Sequence, residues 1–454
     1  PWHPGLAAYG VDTSQVKGPT DFTIEEIKEM QQQYTQCAIR ACKAGADGVE
    51  FHIAHNYLPE QFLTPLFNKR TDEYGAQTME NGLRFSTECI KMIKEACGPN
   101  FAVTVKINGN DFSPEGMTLE RVSEVGPILE AAGADMISIS AGGGLTDITG
   151  MSADGNRPEG WKVPLAEAVK KSGVKIPVTA TGSIRHVDFV ESILAEGKCD
   201  MVGMGRGLLA EPNWVKKLEE GRESEIRHCV SCMACFNPTP TGRTNCTVNP
   251  LALRELENIT KKKDGNDRIV AVVGSGPAGL EAAVTLAERG FKPVVFESEN
   301  AIGGMERLAS KPDGKQKIYW HIEWYQRQID RLGIEIRLNT KADAEALRSL
   351  NPYAVIIAAG SNSIYPKSIP GISKDIVYDV RPVLEDIPNV KGENVVVVGA
   401  GLVGLEMAIS FAQRGNKVTI VDMIAPYDPA ATPADQMLVV GHAMMVGVDM
   451  KMLH

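Results

Sequence analysis

Four cysteines fall within 18 residues: Cys229, Cys232, Cys235 and Cys246, spaced Cys-x2-Cys-x2-Cys-x10-Cys and followed by Val248-Asn249-Pro250. Four thiolates at such spacing bind Zn²⁺ or an iron–sulfur cluster. Structural zinc more often uses two separated Cys-x-x-Cys pairs. Three closely spaced thiols with a remote fourth favour a [4Fe–4S] cube, because one loop can wrap three of its corners. Unmetallated thiols are the bland alternative. A second constellation is His52-Ile53-Ala54-His55-Asn56-Tyr57, at the end of an apolar run. Alternate residues of a strand point to opposite faces, so His52 and His55 converge only if the strand ends between them. The chemical reading is two imidazole donors on a carbonyl oxygen, with Tyr57 as proton donor. The alternative is packed histidines capping a strand end, and the residues alone favour neither.

Lys106 closes another apolar run, where a buried charge needs a partner. A flavin ring carrying negative charge is one partner, and a carboxylate of the same domain is the other. Gly182 and Gly205-Arg206 follow two later strand-like runs, the usual phosphate site of β/α barrels. The Arg206 guanidinium suits a phosphate monoester.

Two glycine fingerprints complete the set. Gly274-Ser275-Gly276-Pro277-Ala278-Gly279 follows the apolar run Ile269–Val273 and opens a helical pattern at Leu280–Arg289. The glycines provide a tight turn, close backbone approach to pyrophosphate and helix-on-strand packing, while the helix N-terminus faces the phosphates. Glu297, ending Pro293–Phe296, is placed to accept ribose hydroxyl hydrogen bonds. The second fingerprint is Gly399-Ala400-Gly401-Leu402-Val403-Gly404, after Val395–Val398, with Asp422 closing Val418–Val421. An acidic side chain there accepts from a free 2′-hydroxyl and repels a 2′-phosphate, which favours NADH over NADPH. Ile302-Gly303-Gly304 and Val355-Ile356-Ile357-Ala358-Ala359-Gly360 are similar to the later signatures of FAD-binding two-dinucleotide flavoproteins, which favours FAD at the first site.

These groups need a scaffold of parallel strands. The expected strands of the first half are Gly48–Ile53, Ala102–Ile107, Met136–Ser140, Val178–Thr181 and Met201–Met204. Helical patterns lie between them at Ile24–Ala44, Thr78–Ala96, Leu119–Ala132, Pro164–Ser172 and Asp188–Glu196. Repeated helix–strand units imply a parallel sheet, either doubly wound or a barrel. The polar residues gather just after the strands, where barrel chemistry sits. Five strands are too few for the eight of a closed barrel, and the opening Pro1-Trp2-His3-Pro4-Gly5 reads like a domain interior. The expectation is a fragment lacking upstream barrel strands and the C-terminal end. The fold class is α/β: a partial TIM (β/α)8 barrel (1–222), a cysteine-cluster segment and linker (223–265), and two Rossmann-like dinucleotide-binding domains (266–390 and a truncated 391–454).

The bulk of the chain fits this plan. Its 454 residues are 43% apolar and 23% charged, ordinary for globular domains. A net charge of −10 carries no basic nucleic-acid footprint, and the Lys261–Lys263 cluster reads as a solvated linker. No apolar run reaches the ~18–20 residues of a membrane helix. Nine cysteines, an odd number with one dense cluster, argue against a secreted disulfide framework and for a reducing, cytoplasmic setting. Oligomeric state is left open, a homo-oligomer included.

Together these motifs resemble the iron–sulfur branch of the old yellow enzyme family, which includes 2,4-dienoyl-CoA reductase, 2-enoate reductase, the bile-acid enoate oxidoreductases and trimethylamine dehydrogenase. The resemblance covers essentially the whole chain. Its most specific stretches are Gly48-Val49-Glu50-Phe51-His52 through Phe62-Leu63-Thr64-Pro65, Asn68-Lys69-Arg70-Thr71-Asp72-Glu73-Tyr74-Gly75, Gly203-Met204-Gly205-Arg206, and the cysteine run. It implies FMN in the barrel near Lys106, Gly182, Gly205 and Arg206, and one [4Fe–4S] cluster on the four cysteines. It further implies FAD at Gly274, Gly276, Gly279, Glu297 and Gly304, and NAD(H) at Gly399, Gly401, Gly404 and Asp422. In that pattern His52 and His55 hold the carbonyl oxygen of an α,β-unsaturated substrate and Tyr57 protonates its α-carbon. Alternatives on the same scaffold are an amine dehydrogenase, an NADH-dependent flavin oxidase, or an electron-transfer module serving a partner. One departure is Asn81-Gly82-Leu83-Arg84-Phe85, where the family usually has Asn-Arg before its Arg-Phe. Cys232 and Cys235 are separated by two residues, as in trimethylamine dehydrogenase, but His52 is the ene-reductase residue. Specificity would come from loops such as Gly142–Arg157.

Overall fold

The computed structural model describes residues 17–146, 150, 157–236, 244–254, 262–386, 389–424, 427 and 434–453. Lys261, the opening residues 1–16 and most of the 142–157 loop lie outside these described residues. The chain divides into two compact units, Pro1–Gly205 and Arg206–His454.

In the first unit, five parallel strands run in the order β1 (Gly48–Ile53), β2 (Ala102–Asn108), β3 (Met136–Ser140), β4 (Val178–Ala180) and β5 (Met201–Val202). Consecutive strands are neighbours, and each crossover carries a helix, as parallel pairing requires. The last two strands are shorter than the sequence suggests, because their final residues already belong to the loops. The helices begin where threonine side chains cap them: Thr23 before Ile24–Lys43, Thr78 before Met79–Cys97 and Thr118 before Leu119–Ala131. The Thr23 cap is reciprocal, since Glu26 accepts the Thr23 backbone N–H in return. Helix Met79–Cys97 buries Leu83, Ser86, Cys89, Ile90 and Ile93, a stripe at helical spacing. It packs on the short helix Leu58–Leu63 through Phe62 and Phe85, whose rings stack at 4.8 Å. Gly82 lies in that contact. A Cβ there would sit 2.7 Å from the Leu63 carbonyl oxygen, which explains why this position has no room for an arginine.

The second unit holds two parallel sheets. One has the order β8 (Glu335–Arg337), β7 (Lys292–Phe296), β6 (Ile269–Val273) and β9 (Ala354–Ile357). By sequence this is third, second, first and fourth, the doubly wound dinucleotide-binding arrangement. The other is β10 (Asn394–Val398), β11 (Lys417–Asp422) and β12 (Asp449–Met452). Each sheet has its own apolar core. Val272, Leu280, Val284, Ile322 and Tyr325 pack in the first, and Leu405, Phe411, Ile420 and Val440 in the second. The helix of the first fingerprint starts at Pro277 rather than Leu280, because proline at the first turn is preset for helix and needs no N–H partner. Among the described residues no helix is long and apolar enough to cross a membrane.

Candidate functional site

The histidine motif sits where β1 ends, and the strand does stop between the two imidazoles, at Ile53. The backbone then passes through two consecutive left-handed residues, His55 (φ 64°) and Asn56 (φ 63°). Non-glycine residues rarely take this conformation, and asparagine and histidine take it more readily than most. The turn is pinned by a single bridge from His55 to Gly143, where a side chain on Gly143 would overlap Asn56. Asn56 is buried, and its Oδ1 accepts hydrogen bonds from the Leu145 N–H (3.1 Å) and the Thr146 hydroxyl (3.2 Å). The result brings the three motif residues together. The His52 and His55 rings meet edge-to-face at 4.9 Å, and the Tyr57 ring lies 5.4 Å from His52. Tyr57 is 59% exposed and occupies the N-cap of helix Leu58–Leu63.

Register explains the polar surroundings. His52 pairs with Lys106 and Lys106 with Ser138, so the three lie in one row across β1, β2 and β3 and project from the same face. Lys106 Nζ donates to Ser138 Oγ (3.0 Å) and pairs with Glu50 (3.1 Å), so the carboxylate partner considered from sequence is present. One residue row further on, His55 Nε2 lies 2.6 Å from Ser140 Oγ, which also accepts from the buried Lys162 Nζ at 3.2 Å. His52 Nδ1 is buried and has no hydrogen-bond partner among the described residues, so it is an atom that a bound group would satisfy.

Both histidines resist protonation. Burial holds His55 down to about 3, helped by the nearby His52, Lys162 and Lys106. Burial also lowers His52, with Lys106 adding to the effect. Near neutral pH both imidazoles are therefore uncharged, each with one N–H to donate. The same shift links stability to pH. The unfolded chain takes up a proton that folded His55 refuses, so this site's stability is complete above the ordinary histidine range and falls as pH drops below it. The melting temperature should fall on acidification from about pH 7 to pH 5, and His55→Asn, which tolerates the left-handed turn, should flatten that fall. Thermal melts across pH test this, and an equally steep decline in the variant would refute it.

Ser138, Ser140, Lys162, Glu60, Asn108 and Asp111 complete this region and were not read from sequence. The signal for the serines was present. In Met136-Ile137-Ser138-Ile139-Ser140 polar residues alternate within a strand that is otherwise apolar.

For FMN, the described features that fit are the Lys106–Ser138 row and Gly182, which has φ 112° just past β4 with Lys162 against it. Gly205 has open space where a side chain would stand. Arg206 starts helix Arg206–Ala210 in the second unit, where its Nη1 lies 2.8 Å from the Met233 sulfur.

The cysteine segment belongs to that second unit. Ser231 (φ 56°) and Met233 (φ 63°) are left-handed, so the loop curls between the cysteines. Cys229, Cys232 and Cys246 pack on Ala210, Val230 and Val248. Burial pushes the Cys235 thiol up to about 11, and the other three thiols add to the rise against the lowering by Arg206. Among the described residues no group of three or more His, Cys, Asp or Glu side chains is set for a single metal ion.

The two fingerprints share one wiring pattern. Glu297 Oε2 accepts from the Ser275 N–H (2.9 Å) and hydroxyl (2.6 Å), while Asp422 Oδ2 accepts from the Ala400 N–H at 2.5 Å. Each acidic side chain thus binds the residue after the first glycine of its own loop. Burial raises the Glu297 carboxyl, but the hydrogen bonds from Ser275 and Glu299 outweigh it and hold the group below its ordinary range. The Ala400 N–H lowers Asp422 similarly. Gly303 donates its N–H to the Ser275 carbonyl at 2.9 Å, and Gly304 follows at φ 49° beside Gly276. Gly279 and Gly404 lie so close to the carbonyls of Gly274 and Gly399 that no side chain fits, which is the close packing these motifs need.

Two family models match. Residues 7–225 match the NADH:flavin oxidoreductase / NADH oxidase family, and residues 268–453 match pyridine nucleotide-disulphide oxidoreductase. An NADH oxidase of Thermoanaerobacter brockii is 41% identical over 414 residues, 90% of this chain and 63% of that protein. A cinnamate reductase of Clostridium sporogenes is 34% identical over 420 residues, 89% of this chain and 62% of that protein. A solved 2-naphthoyl-CoA reductase is similar with a TM-score of 0.84 and 30% identity, over 95% of this chain and 65% of that chain. The chain thus spans a little under two thirds of the length of these relatives. With a parallel-stranded flavin-oxidoreductase region followed by a Rossmann-like nucleotide unit, the chain belongs to the old yellow enzyme-like flavoprotein family.

Proposed function

We propose that this chain forms part of an NADH-dependent reductase of activated C=C bonds, of the 2-enoate or enone type. The observation that carries this reading is the convergence of two neutral imidazoles, His52 and His55, beside Tyr57. When bound, the cofactors supply an electron path from NADH through FAD and a [4Fe–4S] cluster to FMN, which offers hydride to the alkene β-carbon. The chain's own residues do the rest. His52 and His55 donate to the substrate carbonyl oxygen and stabilise the negative charge that develops there. Tyr57, exposed at its helix cap, delivers a proton to the α-carbon. Lys106 and Ser138 would face the flavin, with Gly182, Gly205 and Arg206 at its phosphate. Cys229, Cys232, Cys235 and Cys246 would hold the cluster. Three thiols in one loop with a remote fourth fit such a cube better than a zinc ion. Gly274, Gly276, Gly279, Glu297 and Gly304 would take FAD, and Gly399, Gly401, Gly404 and Asp422 would take NADH. Relatives named cinnamate reductase and 2-naphthoyl-CoA reductase support a conjugated carboxyl derivative as substrate.

An anaerobic assay of the full-length protein with NADH tests the reading, with cinnamate and trimethylamine as competing candidates. Cinnamate should be reduced and the amine left untouched. Amine oxidation without alkene reduction would overturn the assignment, and rapid dye reduction with neither substrate consumed would point to an electron-transfer module.

A further inference from the structure

Directly beneath the histidine turn lie two carboxyl groups that the proposed chemistry does not use. Glu60 and Asp111 are both fully buried, and neither has an ion pair among the described residues. Two bare carboxylates side by side without a cation would carry a heavy electrostatic cost. Asn108 Nδ2 lies 2.8 Å from Glu60 Oε1, 2.8 Å from Asp111 Oδ1 and 2.8 Å from the Gly142 carbonyl oxygen. An NH₂ group has two hydrogens for these three acceptors. A proton between Glu60 and Asp111 closes that count. Burial, followed by the Asp111 carboxyl, raises Glu60 well above the ordinary carboxylate range.

The other ends of this pair reach the site and its support. Glu60 Oε2 accepts the backbone N–H of Asn56, the second left-handed residue of the turn. Asp111 Oδ2 accepts the Met117 N–H at 2.7 Å. We propose that Glu60 is a positioning residue: its carboxyl, paired with that of Asp111 through one shared proton and braced by Asn108, holds the Asn56 N–H and fixes the strained turn that aims His55 and Tyr57. This rests on the reading of that turn as the oxyanion-binding site. Glu60 touches no substrate; it acts through the backbone.

Two variants of the full-length holoenzyme separate this role from simple burial of a charge. Glu60→Gln keeps the reach: its amide carbonyl accepts from Asn56 and its NH₂ donates to Asp111, while Asn108 gives up its bond to residue 60 and keeps its two hydrogens for Asp111 and the Gly142 carbonyl. Glu60→Asp keeps the acid but shortens the side chain by one methylene, so it no longer spans to Asn56. We expect Gln to retain cinnamate turnover within about threefold and Asp to lose more than about tenfold in kcat, a range typical of lost positioning. Binding of 4-nitrophenolate, followed by the probe's own absorbance, should rank the proteins in the same order without any turnover. Melting curves and flavin content identify any variant that has lost its fold. An Asp variant equal to the Gln variant in both assays, or a Gln variant as impaired as Asp, overturns the proposal. If the wild type reduces cinnamate while the variants lack this order, only the positioning role fails. If the wild type neither reduces cinnamate nor binds the phenolate, the reading of the site has failed and the positioning role with it.

Discussion

Turnover of an activated alkene should fall by ~10²-fold or more when His52 is replaced by alanine, the loss seen when one preorganised oxyanion donor is removed, roughly 2.7–4 kcal/mol. The size of the effect follows from where His52 sits. It is half-buried next to His55, is kept neutral by burial and by Lys106, and has a ring nitrogen with no partner among the described residues. A donor held in a low-dielectric site is worth more to a developing charge than one in water. His55 is already engaged by Ser140, which fixes its ring but also occupies one of its nitrogens. The two are therefore not interchangeable, and His55 does not replace the lost contact. The loss should appear in kcat more than in KM, because the negative oxygen exists chiefly in the transition state. Flavin content should be unchanged, since the alanine removes no group assigned to the phosphate site. Steady-state kinetics with cinnamate would settle it, and an unaltered kcat at wild-type flavin content would show that His52 has another role.

The second large effect concerns the sulfurs. Exchanging Cys235 for serine should leave NADH-driven dye reduction near wild type while alkene reduction collapses. The fall should exceed the ~10–100-fold typical of losing an outer-shell partner, because here a ligand itself is removed. The reasoning is structural. The fingerprints and their cores occupy sheets built from residues 269–452, while Cys229, Cys232 and Cys246 pack on a separate small cluster of Ala210, Val230 and Val248. The nucleotide half should therefore fold and accept hydride without the cluster. Iron and acid-labile sulfide should fall together. Retained alkene reduction in a protein lacking iron would remove the cluster from the electron path.

Much of this was legible from residue types and spacing. Strands β1 and β3 have the bounds that apolar runs suggest, and both fingerprints stand between strand and helix as their glycines require. Parallel strands read well because they appear as apolar runs, and β3 and β7 are buried along most of their length. The same rule hid Ser138 and Ser140, since a polar residue in such a run looks like noise until its register beside Lys106 and His55 is known. Glu60 was hidden for another reason. It lies in Leu58-Pro59-Glu60-Gln61, where an acidic residue in the first turn of a helix is ordinary, and only the tertiary contact with Asp111 and Asn108 makes it unusual. Whether His52 and His55 converge also depended on where one strand stopped, which is the least reliable feature to read from a sequence.

The twin links from Glu297 to Ser275 and from Asp422 to Ala400 bear on how quickly nucleotides can come and go. Each cradle is already tied in shape by its own carboxylate, so an arriving dinucleotide meets a finished seat and spends little of its binding free energy on ordering the loop. On the proposed nucleotide sites each carboxylate would have two duties, as seam and as docking point, and a substitution at either position would loosen the empty protein as well as the loaded one.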